Sequence, residues 1–281
     1  MRNGFKFNGR HSSEIGVTVR TKSRPIRPSV KSLTTDITCR DGVYDFSASN
    51  SSGREFYSDR YFTVSIGIYA ENISKMQEKL TDISLWLTGA GELIFDDMPL
   101  IIWKGKISDE IIYMPEHNGR KAVIDVSFRA EPFGYCVFDT DGIVLDTDIY
   151  IDEMIPLEYE DLFDFTLSGS DDLRVLNFGD RPVRPVIDLI GNVEGIIMEL
   201  GEKRLSFTAS GDVSVDFEKQ NVTDENGSIG VSGEFFEFAA GENILHIENS
   251  NTDSIQISVT YTPEFMYGTH FGDVDWGDGD A

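Results

Sequence analysis

The sequence predicts a mostly β protein, in which an antiparallel N-terminal domain carries one α-helix and a C-terminal domain forms a β-sandwich. Two observations support this fold class. The only long helical periodicity lies at residues 73–87, whereas short alternating segments separated by turn residues occupy most of the remaining chain. In addition, 281 residues are enough for two domains, each with its own hydrophobic core.

The predicted helix has a continuous apolar face. Five apolar side chains recur at intervals of three and four residues, at Ile73, Met76, Leu80, Ile83 and Leu87. Ser74 and Gln77 have the spacing of a capping box at the helix start. Residues 88–91 contain two glycines, which tolerate positive φ, so we expect the helix to end there. Trp86 widens the buried face just before that end.

Alternating segments around the helix predict the strands of the N-terminal domain, to which we assign residues 1–137. These segments are residues 5–7, 15–19, 43–46, 60–69, 93–95, 100–103, 104–113 and 121–130. Residues 24–28 contain two prolines, each of which removes a backbone donor. This stretch is therefore predicted as a sheet edge or an extended arm. Trp86 and Trp103 are expected to be buried.

The C-terminal half is predicted in three parts. Residues 138–180 form an acidic connection with some strand content, residues 181–264 form the β-sandwich, and residues 265–281 form an acidic tail. Regularly spaced turns and no helical pattern favour the sandwich. Its predicted strands are residues 185–191, 195–200, 205–209, 213–217, 234–238, 244–248 and 255–261.

The net charge of −25 is concentrated in the C-terminal half. Residues 1–137 carry 18 basic and 17 acidic side chains, whereas residues 138–281 carry 6 basic and 32 acidic ones. The acidic half is either an exposed module kept from nonspecific partners by its charge, or a surface that meets a basic surface of another subunit. The charge argues against nucleic acid as its partner, and basic residues 1–40 contain no nucleic-acid-binding motif.

Neither membrane insertion nor secretion is indicated. The chain lacks a run of about eighteen apolar residues, and its first ten residues lack the apolar core of a signal peptide. We therefore expect folding in a cytoplasm, with Cys39 and Cys136 as separate buried side chains rather than a disulfide.

The sequence contains no recognisable active site, metal site or cofactor site. Its four histidines are scattered, and a P-loop, a nucleophile elbow and a dinucleotide motif are all absent. Carboxylate pairs such as Asp96 and Asp97 arise by chance among 49 acidic residues. Residues 273–280 resemble the start of a calcium loop but lack its spacing, which favours a solvated tail. Trp276 in that tail lies outside any predicted core, where it can anchor the tail to a partner.

Several short motifs, in this order and spacing, resemble the distal tail protein family of siphophages that infect Gram-positive bacteria. In the first half they are FKFNG at residues 5–9, EIGV at 14–17, RDGVYD at 40–45, the helix end at Trp86 and Leu87, and LIFDDMP at 93–99. In the second half they are RPVIDLIG at 184–191, GEFFEF at 233–238, GEN at 241–243 and ISVTYTP at 257–263.

The resemblance implies a structural role in the virion. Such proteins form a homo-hexameric ring at the tail tip, assembled in the host cytoplasm, that joins the major tail tube protein to the tail-associated hub protein. Contacts with the tape measure protein and with receptor-binding proteins are also implied. The C-terminal sandwich is then expected to be galectin-like. However, residues 185–263 contain no tryptophan, so the sugar-binding constellation of galectins is missing.

Three other functions fit parts of the pattern. A carbohydrate-binding accessory module of the tail tip or cell surface predicts exposed aromatic rings on the sandwich. An enzyme such as a wall hydrolase predicts a cleft with a carboxylate pair. The N-terminal part of the hub protein is a further alternative, against which the second half of the sequence argues.

Candidate interface residues come from two places. Arg24, Ile26 and Arg27 belong to a proline-bounded basic stretch that is poorly suited to a core and well suited to a neighbouring subunit. Trp276 is the fourth candidate.

Overall fold

The computed structural model of the chain describes residues 4–49, 53–137 and 163–268. It divides into two compact units. The first contains the described residues up to Gly134 together with Met266–Gly268, and the second contains those from Tyr135 to Phe265. The predicted fold class, mostly β with antiparallel sheets and a helix near the N-terminus, is confirmed.

Antiparallel strands form the first unit. They are β1 (Phe5–Phe7), β2 (Arg10–His11), β3 (Thr18–Ser23), β4 (Thr34–Asp36), β5 (Val43–Asp45), β6 (Arg60–Tyr69), β7 (Ala90–Phe95), β8 (Met98–Ile107), β9 (Pro115–Glu116) and β10 (Lys121–Ala130), with helix α1 (Ile73–Trp86) between β6 and β7. The main sheet has the order β2-β1-β7-β8-β10-β6-β3, and β9 pairs with β10. Strands β4 and β5 form a separate two-stranded sheet.

Strands β6 and β10 are the longest pair of this sheet, and their predicted bounds are confirmed. They pair over ten residues, from Arg60 opposite Ala130 to Tyr69 opposite Lys121. Alternate side chains of both strands are buried, as the period of two predicts. Residues 24–28, predicted as a sheet edge or an extended arm, form no strand and follow the edge strand β3.

Helix α1 differs from the prediction at its first turn. The N-cap is Asn72, whose side chain accepts a hydrogen bond from the Lys75 backbone N–H at 2.9 Å, so the predicted capping box at Ser74 is wrong. Ile73, the first residue of the predicted apolar face, is 60% exposed. The helical periodicity identifies the side chains that share this face, but it does not show how far the sheet extends beneath the helix. The predicted helix end is confirmed, since Gly89 adopts φ +87°.

Aromatic side chains dominate the core of the first unit. Phe5 stacks on Trp86 with ring centroids 5.0 Å apart, and Phe62 meets Trp103 edge-on at 5.0 Å. The indole N–H of Trp86 donates to the carbonyl of Phe7 at 3.1 Å. The predicted burial of both tryptophans is confirmed.

Two predicted strand boundaries in this unit are wrong. The segments at 100–103 and 104–113 are one strand that ends at Ile107, and residues 108–114 are a loop in which every side chain except the half-buried Ile111 is exposed. The strand predicted at 15–19 begins only at Thr18, because a turn precedes it. Cys39 is also exposed rather than buried, whereas Cys136 is buried, and the two do not form a disulfide.

The second unit is a β-sandwich. Strands β11 (Gly134–Cys136) and β23 (Glu264–Phe265) pair with each other and belong to neither sheet of the sandwich. The sandwich strands are β12 (Asp164–Ser168), β13 (Ser170–Asn177), β14 (Val186–Ile190), β15 (Gly195–Leu200), β16 (Lys203–Thr208), β17 (Val213–Asp216), β18 (Asn221–Asp224), β19 (Gly227–Ile229), β20 (Val231–Gly233), β21 (Gly241–Asn249) and β22 (Ser254–Thr260). One sheet has the order β12-β22-β14-β17-β18-β19, the other β13-β21-β15-β16-β20. Both contribute to one hydrophobic core.

Not every predicted strand of this unit is present. Residues 234–238 form no strand, and only Phe238 makes an isolated bridge, with Val183. The segment has an alternating apolar pattern because Phe236 and Phe238, which lie in a loop, are both buried in the core. Strands β12 and β13 lie within the range that the sequence predicts as an acidic connection. A galectin-like topology stays a prediction.

Candidate interaction surface

A long hairpin arm leaves the first unit. We define the arm as residues 29–58, of which 29–49 and 53–58 are described. Its two sides pair at the base, where the Ser58 N–H donates to the Ser29 carbonyl at 2.8 Å and the Lys31 N–H donates to the Phe56 carbonyl at 2.7 Å. Farther out, β4 and β5 pair only with each other. All residues from 31 to 46 are exposed.

One face of the arm is apolar. The register places Thr35 opposite Tyr44, and the Phe46 N–H donates to the Leu33 carbonyl at 2.8 Å. Opposed residues, and residues two apart on one strand, share a face of a hairpin. Leu33, Tyr44 and Phe46 therefore lie together, with 63%, 39% and 42% of their surfaces exposed. The opposite face carries Thr34 and Asp45.

The arm holds its shape through local contacts. The rings of Tyr44 and Phe46 stack at 6.0 Å, and the Arg40 guanidinium lies 3.9 Å from the Tyr44 ring centre. The backbone N–H of Ser47 donates to Asp45 at 2.8 Å, and the Ser47 hydroxyl also donates to that carboxylate. These bonds lower the pKa of Asp45. A two-stranded hairpin is marginally stable alone in water, so an ordered arm with an exposed apolar face indicates an interaction surface.

The predicted interface residues have different surroundings. Arg24 binds Asp97 through both guanidinium Nη atoms, at 2.8 and 2.5 Å, and its Nε donates to the Tyr267 hydroxyl at 3.0 Å. The ion pair raises the pKa of Arg24 and lowers that of Asp97. Arg24 thus makes its contacts within its own unit. Its side chain is only 13% exposed, which agrees with this.

Ile26 and Arg27, in contrast, are open to solvent beside the base of the arm. Ile26 is 71% exposed. The Arg27 side chain is 60% exposed, with a guanidinium nitrogen 3.7 Å from Glu55 and its carbon atom 5.9 Å from the Tyr57 ring centre. Trp276 lies outside the described residues.

Arg60 is a buried residue that the sequence analysis did not select. Its Nε donates to the Pro132 carbonyl at 2.7 Å, one Nη donates to the Pro25 carbonyl at 3.1 Å, and the other donates to the Met266 carbonyl. Burial lowers its pKa to about 10. Arg60 therefore joins three segments of the first unit that are far apart in sequence. No local signal identifies such a residue, because its partners are backbone carbonyls.

A groove runs between α1 and the chain segment 107–113 of the same unit. We call it the α1 groove. Its volume is about 390 Å³, and its lining residues are Leu80, Ile83, Ser84, Leu87, Thr88, Ile107, Asp109, Ile111, Tyr113 and Ile124. Asp109 is the only charged residue among them.

Two histidines form polar clusters that the sequence spacing does not reveal. His246 Nδ1 is 2.6 Å from Asp172 Oδ1, and His246 Nε2 is 3.3 Å from Ser170 Oγ. This pair lies open on a sheet face, with 38% and 66% of the His246 and Asp172 side chains exposed. His11 similarly contacts Asp96 at 2.9 Å. Within the described ranges, no group of three or more potential ligands could hold a metal ion.

Comparison with known proteins indicates the class of protein to which this chain is similar. Residues 10–130 match the family model described as the phage tail protein RIFT-related domain. This segment includes the arm and the α1 groove. This segment is thus similar to a phage tail domain, and the resemblance of the chain to distal tail proteins is confirmed. No curated protein sequence is significantly similar to the chain.

A solved structure extends the similarity of fold beyond the matched segment. The crystal structure of the SPP1 Dit (gp 19.1) protein, described as a paradigm of hub adsorption apparatus in Gram-positive infecting phages, covers 93% of this chain and 98% of its own, with 13% identity and a TM-score of 0.59. The phage P2 baseplate in its activated conformation with Ca also aligns, over 92% of this chain and 98% of that one at 7% identity, but its TM-score of 0.36 carries no argument.

The family match and the fold support a structural role in a phage tail rather than an enzymatic one. In the described part of the chain, no helix is long and apolar enough to span a membrane.

Proposed function

We propose that this chain is the distal tail protein of its virion, six copies of which form a ring at the tail tip. The ring joins the tail tube to the tail-associated hub protein and carries receptor-binding proteins in turn. Assembly takes place in the host cytoplasm, where the tape measure protein is a further contact. The proposal rests on the phage tail domain at residues 10–130 and on the likeness to the SPP1 protein over the whole chain.

The observation that carries the proposal is the exposed apolar face of the arm. Leu33 and Phe46 lie in the matched domain, and within the described chain they remain 63% and 42% exposed. Covering such side chains contributes about 25 cal/mol for each Å² of apolar surface removed from water. Contact with another subunit is the simplest way to bury this face, because every copy of the chain presents the same surfaces to the assembly.

Charge supports a ring in which the two halves of the chain play different roles. Residues 1–137 are nearly neutral and can pack against copies of themselves, whereas residues 138–281 carry 6 basic and 32 acidic side chains and repel their copies. The C-terminal halves are therefore expected at the periphery. A ring in which these halves contact one another would contradict this arrangement.

Light scattering of the purified full chain tests the assembly. We expect a mass of six chains, either for the chain alone or after addition of the hub protein. Phe46→Ser, on the apolar face, should shift the mass toward the monomer. Val43→Ser is the matched control, because Val43 is 54% exposed and belongs to the opposite face of the same hairpin. Equal masses for the two variants would contradict the role of the apolar face.

A further inference from the structure

Each chain contains two surfaces with aliphatic or aromatic side chains that its own described residues leave partly open. One is the apolar face of the arm, and the other is the α1 groove. Leu80, Ile107 and Ile111 in the groove are only half-buried. The groove has a volume of about 390 Å³, and its lining combines six aliphatic side chains with the polar groups of Ser84, Thr88, Asp109 and Tyr113.

We propose that the α1 groove receives the outer part of the arm from a neighbouring copy of the chain. This inference rests on the proposed ring and names the surface that completes its subunit contact. The neighbouring copy is the occupant that the structure favours, because the arm face stays exposed within its own chain. Tyr44 and Phe46 would enter the groove between the helix and the segment 107–113.

The charges of the two surfaces agree with this pairing. Asp109 is the only charged residue that lines the groove. Arg40, at the outer end of the arm, lies over the Tyr44 ring and would come to the rim of the groove together with that ring. An arginine and a carboxylate at the edge of an apolar contact fix its register more than its affinity.

The geometry of the contact also suits a ring. The arm and the groove are different surfaces, so the contact is heterologous, with each copy donating its arm to the next. Head-to-tail contacts of this kind close into rings when the rotation between copies divides a full turn. A self-complementary contact would instead produce a dimer.

Cysteine cross-linking tests the pairing directly. Cys39 is an exposed free thiol in the turn between β4 and β5, and the other thiol, Cys136, is buried. Ser84→Cys adds a thiol at the groove on an exposed position of α1. Ser74→Cys is the matched control, because Ser74 is also exposed on α1 but lies ten residues away, about 15 Å along the helix. The full chain is treated with a short bismaleimide, and its mass is measured by light scattering beforehand.

We expect Ser84→Cys to give a ladder of covalent oligomers at least tenfold stronger than that of Ser74→Cys. The ladder should disappear when Cys39→Ser is added. An oligomer in which the two variants cross-link equally, or in which neither does, would overturn the arm-in-groove contact and leave the ring intact. A chain that remains a monomer even with the hub protein would overturn both the contact and the proposed ring.

Discussion

The Arg60 guanidinium carbon lies 4.9 Å from the ring centre of Trp103, in the core of the first unit. A stacked, buried guanidinium with no carboxylate partner among its hydrogen bonds is unusual, because burial of the charge must be offset by other contacts. Here the carbonyls of Pro25, Pro132 and Met266 accept its hydrogen bonds. Through these hydrogen bonds Arg60 joins residue 25, which precedes the arm, to residue 132 and to residue 266 near the end of the described chain.

Replacing Arg60 should therefore destabilise the first unit strongly. Arg60→Met keeps much of the volume but removes the donors to three carbonyls, and we expect a loss of about 2–4 kcal/mol in the free energy of unfolding. Urea denaturation measures this value. Arg129→Met is the control, since the Arg129 side chain is half exposed and pairs with Asp59 at the surface, where solvent screening leaves such a pair little effect on stability. Equal losses would contradict the role assigned to Arg60.

The ion pair between Arg24 and Asp97 should make stability depend on pH. Hydrogen bonding to Arg24 lowers the pKa of Asp97 in the folded state, so its contribution is present above the ordinary aspartate pKa of about 4 and is lost as the pH falls through the lowered value. Asp97→Asn should thus destabilise the chain modestly at pH 7, by about 1 kcal/mol or less at this half-exposed site, and less at pH 3. Urea denaturation at both pH values, with the exposed Asp82→Asn as control, checks the difference. A larger effect at pH 3 would contradict it.

The start of α1 allows a direct test of its cap. Asn72→Ala removes the side-chain acceptor for the Lys75 N–H and should cost about 1 kcal/mol in the free energy of unfolding. Ser74→Ala should have almost no effect, because Ser74 lies inside the helix and is exposed. Thermal denaturation followed by circular dichroism distinguishes the two. A larger loss for Ser74→Ala would restore the capping box that the sequence predicted.

Arginines at the base of the arm should respond differently to charge reversal. Arg27→Glu is expected to weaken oligomer formation while the subunit stays folded, because Arg27 is exposed and only loosely paired. Arg24→Glu should lower the melting temperature of the subunit itself, because it places a negative charge beside Asp97. Light scattering and thermal denaturation of both variants separate the two effects. An Arg27→Glu variant with an unchanged oligomer would remove Arg27 from the proposed interface.

Much of the fold could be predicted from local sequence patterns. The bounds of β6 and β10 follow from alternation, and the end of α1 follows from Gly89. The prediction of secondary structure or burial fails where an apolar pattern arises for another reason than the one it usually indicates. Phe236 and Phe238 alternate in a loop, and Ile73 continues a helical face beyond the point where that face is covered.

The candidate interface was harder to predict, because it depends on contacts between distant residues. The sequence gives Arg24 and Arg27 the same basic, proline-bounded surroundings, yet Asp97 and Tyr267 hold only Arg24. The apolar face of the arm is not visible as a pattern either. It depends on the register that brings Phe46 opposite Leu33, and on the exposure of that face among the residues that the structure describes.

The measurement that tests the central proposal most directly is the mass of the purified full chain by light scattering, with and without the hub protein. The account predicts a particle of six chains for the native sequence and for Val43→Ser, and a shift toward the monomer for Phe46→Ser. A chain that stays monomeric under all these conditions, and is instead retained on cell-wall polysaccharide, would contradict the account and favour a carbohydrate-binding module.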